Sequence, residues 1–188
     1  MKKIWIVLGI VAVVAVMLFS WYRNGYDQAV SKDENVKSSW AQVENQLQRR
    51  NDLVPNLVNT VKGFAEQEKG VFTEVTRLRS QWSQAGTVES KIENANQMSA
   101  ALSRLLLVSE NYPELKSNEN FLSLQAQLEG TENRIAVERM RYNNAVMDLN
   151  RFQRTFFGRF FASQAGVDKP AAYFEANKAS KDVPAVVF

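Results

Sequence analysis

The chain has 188 residues, with 23 Lys and Arg against 20 Asp and Glu, and it contains neither cysteine nor histidine. Its net charge of +3 falls to +1 once Lys2 and Lys3 are set aside (21 basic, 20 acidic), which gives no strongly basic face for nucleic acid. Disulfides and thiolate chemistry are excluded, and the commonest metal ligand and general base are missing, so no cofactor and no metal is expected.

Ile4 to Phe19 is an unbroken apolar run, followed by Ser20, Trp21 and Tyr22. Residues 4–22 can span the roughly 30 Å hydrocarbon core of a bilayer as one helix. Trp5 lies at one interface and Trp21 with Tyr22 at the other, where amphipathic rings prefer to sit. A cleaved secretory signal would need small residues where Phe19–Tyr22 is bulky, and the absence of cysteine removes a lipid-modified one. The segment therefore reads as an uncleaved anchor after a short tail at 1–3, with a linker at 23–29. Lys2 and Lys3 are nearly balanced by Arg23, Lys32 and Lys37. The dense cluster at the start leans toward a cytoplasmic N-terminus in a bacterial inner (cytoplasmic) membrane, with the domain on the periplasmic side.

The remainder is helical in pattern. Val36, Trp40, Val43, Leu47, Arg50, Val54, Leu57, Val61, Phe64, Glu68, Val71, Val75, Leu78 and Trp82 alternate spacings of four and three, the repeat of a coiled-coil seam. This predicts one helix over 30–84, with Pro55 inside it either bending or reversing the chain. Ala85 and Gly86 stop it, and Thr87 can cap a second helix over 88–110, with its stripe at Val88, Ile92, Ala95, Met98, Leu102, Leu105 and Leu106. Asn111-Tyr112-Pro113 breaks that helix. Ser117 or Asn118 then caps a third over 118–154, with its seam at Phe121, Leu124, Leu128, Thr131, Ile135, Glu138, Tyr142, Ala145, Leu149, Phe152 and Phe156.

The expected fold class is all-α: a transmembrane helix followed by an antiparallel long-helix bundle at 30–157. The bundle has three long helices, or four if the first is split at Pro55. The second helix returns only roughly 35 Å along the first. Val36, Trp40, Val43 and Leu47 are thus left without an evident partner, although such side chains should not face water. Either the chain folds back at Pro55, or these four form the seam of a homo-oligomer.

Gln48-Arg49-Arg50-Asn51-Asp52-Leu53-Val54-Pro55-Asn56-Leu57-Val58, followed by Val61-Lys62-Gly63-Phe64, resembles the opening motif of the LemA family. The family's central motif is matched by Glu110-Asn111-Tyr112-Pro113-Glu114-Leu115-Lys116, by Asn118 to Phe121, by Leu128-Glu129-Gly130-Thr131-Glu132-Asn133-Arg134-Ile135 and by Arg141 to Val146. Lys169-Pro170 and Tyr173-Phe174-Glu175 match its tail. The likeness covers nearly the whole chain in the same order. It implies a short exposed N-terminus, one transmembrane helix and an antiparallel helical bundle, with no established enzymatic activity. Some relatives resemble components of membrane-organelle formation, which implies a role in membrane organisation.

The candidate interaction or register residues are Arg49, Arg50, Asp52, Pro55, Asn56, Tyr112, Glu129, Glu132, Arg134, Glu138 and Arg139. Arg50 and Glu138 hold seam positions, and Glu132 and Arg139 are seven apart on one helix face. They read as ion pairs fixing helix register, with a partner-binding face as the alternative. An all-carboxylate metal site at Glu129 and Glu132 would have only the i, i+3 spacing behind it. Tyr112-Pro113 is a locked turn or a recognition loop. Phe152, Phe156, Phe157, Phe160 and Phe161, mixed with Arg151, Arg154 and Arg159, either lie on an anionic membrane or fold back over the bundle end. Residues 158–188 read as a short helix and an irregular tail.

No Ser/His or Cys/His pair and no Gly-rich phosphate loop is present. The expectation is a non-enzymatic, single-pass membrane protein acting as a self-assembling scaffold or interaction module. Its partners would be the lipid bilayer through 4–22, other copies of itself and a membrane protein. The alternative is an adaptor of another membrane protein, such as a protease or sensor.

Overall fold

The computed structural model of the chain describes residues 2–175. The helices are α1 (Lys2–Lys62), α2 (Lys69–Gln84), α3 (Val88–Val108), α4 (Pro113–Lys116), α5 (Glu119–Gln153) and α6 (Phe156–Gln164), with a 3₁₀ turn at Ser109–Asn111. The described residues contain no strand, as an all-α pattern requires. α1 is long and apolar enough near its start to cross a membrane. Residues 176–188, which carry the last stretch of the expected tail, and Met1 of the expected tail at 1–3 lie outside the described residues.

Two expectations about the first helix are corrected, its linker and its end. Residues 23–29 are no separate linker but continue α1. Of the two readings at Pro55, the helix that continues through it is the one observed, and the chain does not reverse there. The missing Pro55 N–H leaves the Asn51 carbonyl, one turn earlier, without its helical donor. Arg79 Nε donates to that carbonyl at 3.3 Å, so α2 supplies the bond that proline removes.

Helix 30–84 is instead interrupted at 63–68. The N–H groups of Phe64 and Ala65 both donate to the Val61 carbonyl, at 3.0 and 2.9 Å, which closes the last turn after the glycine. The interruption resets the phase. Ala65 and Phe72 are buried where the heptad placed Phe64, Glu68 and Val71, and Phe64 is exposed. Val75, Leu78 and Trp82 keep their predicted places.

The other boundaries have local causes. Thr87 and Ser90 form a reciprocal capping box at the start of α3. Asn118 Oδ1 accepts the Phe121 N–H ahead of α5 at 3.0 Å. α6 ends in a left-handed glycine, Gly166 at φ 73°, with the Val167 N–H on the Ala162 carbonyl at 2.8 Å. α5 stops at Gln153, so Phe156 leaves the predicted seam and opens α6.

The chain divides into two compact units, one made of residues 2–39 and 142–171, the other of residues 40–141 and 172–175. The second has the larger core, in which Val54, Leu57 and Val61 meet Val75, Leu78, Met98, Leu102, Leu105, Leu115, Phe121 and Leu128. The first buries Ala29, Val36, Tyr142, Val146, Leu149, Phe161 and Ala162. In it, residues 165–171 run as a strap held by side chains of α5. Asn150 exchanges two hydrogen bonds with the Ala171 backbone, at 2.9 and 3.0 Å, and Gln153 donates to the Val167 carbonyl at 2.8 Å.

Val36, Trp40, Val43 and Leu47, expected as a seam between copies, are buried within the single chain. The second helix by itself is too short to cover them. α5 has 35 residues, roughly 52 Å, and the tail adds Phe174, whose ring lies 6.4 Å from that of Trp40.

Candidate functional site

The polar residues of the larger unit converge on Arg50. Its position among Leu47, Val54 and Leu57 carries the guanidinium inward, and it is 1% exposed. Nη1 donates to Ser99 Oγ at 2.8 Å and to Glu132 Oε1 at 3.1 Å, and Nη2 donates to the Ala95 carbonyl at 3.1 Å. One side chain of α1 therefore fastens both α3 and α5. Burial pushes the Arg50 pKa down, against the favourable charge and hydrogen bond of Glu132. The Ser99 hydroxyl accepts from Arg50 and donates to the Ala95 carbonyl at 3.1 Å, so it is held in place from both sides.

Arg139 is half-buried and feels the same carboxylate. Burial lowers its pKa, Glu132 raises it and the charge of Arg50 lowers it. Its guanidinium lies 4.1 Å from the centroid of the Phe174 ring. Phe174 is itself buried, and the neighbouring Glu175 carbonyl accepts from Asn96 Nδ2 at 3.0 Å. Arg139 thus ties the tail residues 174–175 to the helices.

A second polar layer lies beside Arg50. Trp82 Nε1 donates to Gln48 Oε1 at 3.2 Å, Asn94 Nδ2 donates to the Leu78 carbonyl at 2.9 Å, and Lys91 pairs with Glu44 while lying over the Trp82 ring. Asn51 and Asn94 are buried. Arg50 Nε, both side-chain polar atoms of Asn51 and Asn94 Oδ1 have no hydrogen-bond partner among the described residues.

The structure brings together only part of the sequence-predicted set. Arg50, Glu132 and Arg139 form the network, and Pro55 takes part through the Asn51 carbonyl that Arg79 satisfies. Arg49, Asp52, Asn56, Glu129 and Arg134 are exposed. Asp52 accepts from Gln48 and Glu129 from Gln125, each within its own helix. Glu138 pairs with Arg141 one turn on, and Tyr112 packs against the core from the turn before α4. Among the described residues no group of three carboxylates, with or without other ligand types, could hold a metal ion.

Ser99, Asn51 and Asn94 were missed. Asn51 follows Leu47 by four and Asn94 precedes Met98 by four, so helical spacing marks both as inward-facing, whereas nothing at Ser99 distinguishes it from other helical serines. In the smaller unit, Lys32, Asn35, Ser38, Asn144 and Asp148 line a shallow groove of about 280 Å³.

The sequence model described as the LemA family matches residues 39–188. Magnetosome proteins MamQ 1 and MamQ 2 of Paramagnetospirillum magneticum are each 26% identical to the chain over 206 aligned residues, spanning 96% of it and 73% of their own length. Magnetosome protein MamQ of Magnetospirillum gryphiswaldense is 24% identical over 170 residues, 77% of this chain and 61% of its own.

Proposed function

The chain belongs to the LemA family, and on that premise we propose that it is a non-enzymatic scaffold or interaction module of a bacterial membrane. Residues 4–22 tether it to the inner membrane, and the helices of the larger unit form an antiparallel bundle on the extracytoplasmic side. The paired contacts Gln48–Trp82 and Asn51–Arg79, whose numbers rise on one helix as they fall on the other, support the antiparallel arrangement. The name of the MamQ relatives ties those proteins to the magnetosome, and it supports a membrane-organising role here.

One observation carries the reading. The seam of α1 from Val36 to Val61 is used up inside the chain, while Leu122, Val137 and Met140 of α5 stay 48%, 42% and 58% exposed on a helix locked in place by Arg50. A rigid helix with an uncovered apolar face suits the gripping of another helix or a second copy. Self-assembly then runs through α5 rather than through Val36–Leu47.

The test is the mass of the intact protein in mild detergent, beside Val137→Glu/Met140→Glu. A defined oligomer that the double substitution breaks supports the scaffold. A monomer with wild-type sequence removes self-assembly. Proximity labelling that then returns one stoichiometric foreign membrane protein favours the adaptor.

A further inference from the structure

Between Asp148 and Asp168 the sequence has three arginines, five phenylalanines and no acidic residue. α6 occupies the middle of this stretch and divides its own residues sharply. Gly158, Phe161 and Ala162 are buried, whereas Phe156, Phe157 and Phe160 are 86%, 55% and 48% exposed. Three exposed rings in a nine-residue helix are not what a water-facing surface selects.

The buried face of α6 fixes where those rings lie. Phe161 packs edge-on against Trp21 and Tyr22, at ring centroid distances of 5.1 and 5.8 Å, and Phe157 meets Trp21 at 5.3 Å. A side-chain carbon on Gly25 would overlap the Phe161 ring, so the glycine is what admits this approach. Thr155 caps α6 by accepting the Gly158 N–H at 3.0 Å, and a Cβ at Gly158 would collide with the Phe152 carbonyl. Trp21 and Tyr22 close the apolar run that begins at Ile4. They stand at the end of that run, and α6 is held at their level.

We propose that α6 is a second membrane contact, an interfacial helix whose Phe156, Phe157 and Phe160 enter the headgroup–acyl boundary of an anionic bilayer beside the transmembrane segment. Arg151, Arg154 and Arg159 are all exposed and bracket the rings, in position to meet lipid phosphates. Aromatic side chains suit this depth, where one edge is apolar and the surroundings are wet. The occupant is lipid rather than protein because α6 is docked on the end of the apolar segment that the proposed function places in hydrocarbon. The inference rests on residues 4–22 crossing the bilayer, and the experiment separates the two claims.

The cysteine-free sequence allows single probes on the full-length protein. Val11→Cys, Ser38→Cys, Phe156→Cys and Phe160→Cys are each labelled with a nitrobenzoxadiazole fluorophore and reconstituted in vesicles of phosphatidylcholine with phosphatidylglycerol. Quenching is read with lipids carrying shallow or deep nitroxides and with iodide from the water. The expected result is strongest quenching by the deep nitroxide at position 11 and by iodide at 38. Positions 156 and 160 are expected to respond most to the shallow nitroxide, with iodide quenching several-fold weaker than at 38.

Iodide quenching at 156 and 160 equal to that at 38, with position 11 still deep, overturns the interfacial helix and leaves the transmembrane segment intact. Shielding from iodide without nitroxide quenching overturns it in favour of a protein cover. A position 11 that escapes the deep nitroxide removes the transmembrane reading and this one with it.

Discussion

The two compact units solve the same problem, holding long helices together, with opposite chemistry. In residues 40–141 the fixing element is a buried guanidinium that reaches two other helices through Ser99, Ala95 and Glu132. In residues 2–39 and 142–171 it is a set of rings, Trp21, Tyr22, Phe157 and Phe161, with a glycine to let them meet. A directional polar contact has few acceptable geometries, so it selects one register among the many a heptad pattern allows. Ring packing tolerates small shifts and works beside lipid as well as in water, because it needs no charge to be desolvated. The contrast teaches that specificity in this chain is concentrated in the larger unit, and adaptability in the smaller.

Substitutions can break the comparison. The largest effect is expected at Arg50. Arg50→Ala leaves a void and strips Ser99 and Ala95 of their donor, at a cost of about 3–5 kcal/mol, whereas Arg50→Met keeps the volume and lets Glu132 turn to water at a far smaller cost. Urea denaturation of the detergent-solubilised protein followed by circular dichroism measures both. If the two variants lose equal stability, charge rather than volume holds the register.

Next is Phe161→Ala, expected to cost about 3 kcal/mol by emptying a buried site. Because the rings meet at Trp21, the loss should appear as a change in tryptophan emission at lower urea than the helical signal. A single coincident transition would mean that the units unfold together.

Gly25→Ala tests the same place from the other side. Its methyl group must displace Phe161, at about 1–3 kcal/mol for an overpacked contact, and it should free α6 for proteolysis near Arg159 before the rest. The smallest effect is expected from Arg139→Ala, which removes a cation–ring contact worth about 1 kcal/mol. The readout is faster chymotryptic cleavage after Phe174, with the urea midpoint almost unchanged. A large drop in midpoint would give Arg139 a core role that its half-buried position does not suggest.

Much of this was legible in the sequence, for reasons visible in particular residues. Thr87 and Asn118 cap helices because their short polar side chains satisfy free N–H groups whatever the surroundings. The seams around Ile92–Leu105 and Phe121–Tyr142 were readable because a helix face recurs at fixed spacing, whereas beyond Tyr142 the structure buries Val146 in place of Ala145. Arg50 stood out as a charge on an apolar seam. Gly63–Glu68 was not legible, since the heptad tolerates Phe64, Glu68 and Val71 equally well and only packing showed that Ala65 and Phe72 fill the space instead.

The sequence by itself determined the local and the periodic: an apolar segment near the start, helices with their caps, and the residues that must avoid water. Membership of the LemA family was carried by its motifs in order. Tertiary structure decided which surfaces cover one another. It closed the supposed intermolecular seam at Val36–Leu47 inside the chain, supplied Arg79 to the carbonyl that Pro55 leaves bare, and set α6 on Trp21 with three rings outward. Periodicity states that a side chain needs a partner, but a partner distant in sequence is chosen by helix length, turn position and volume together, and those meet only in the folded molecule.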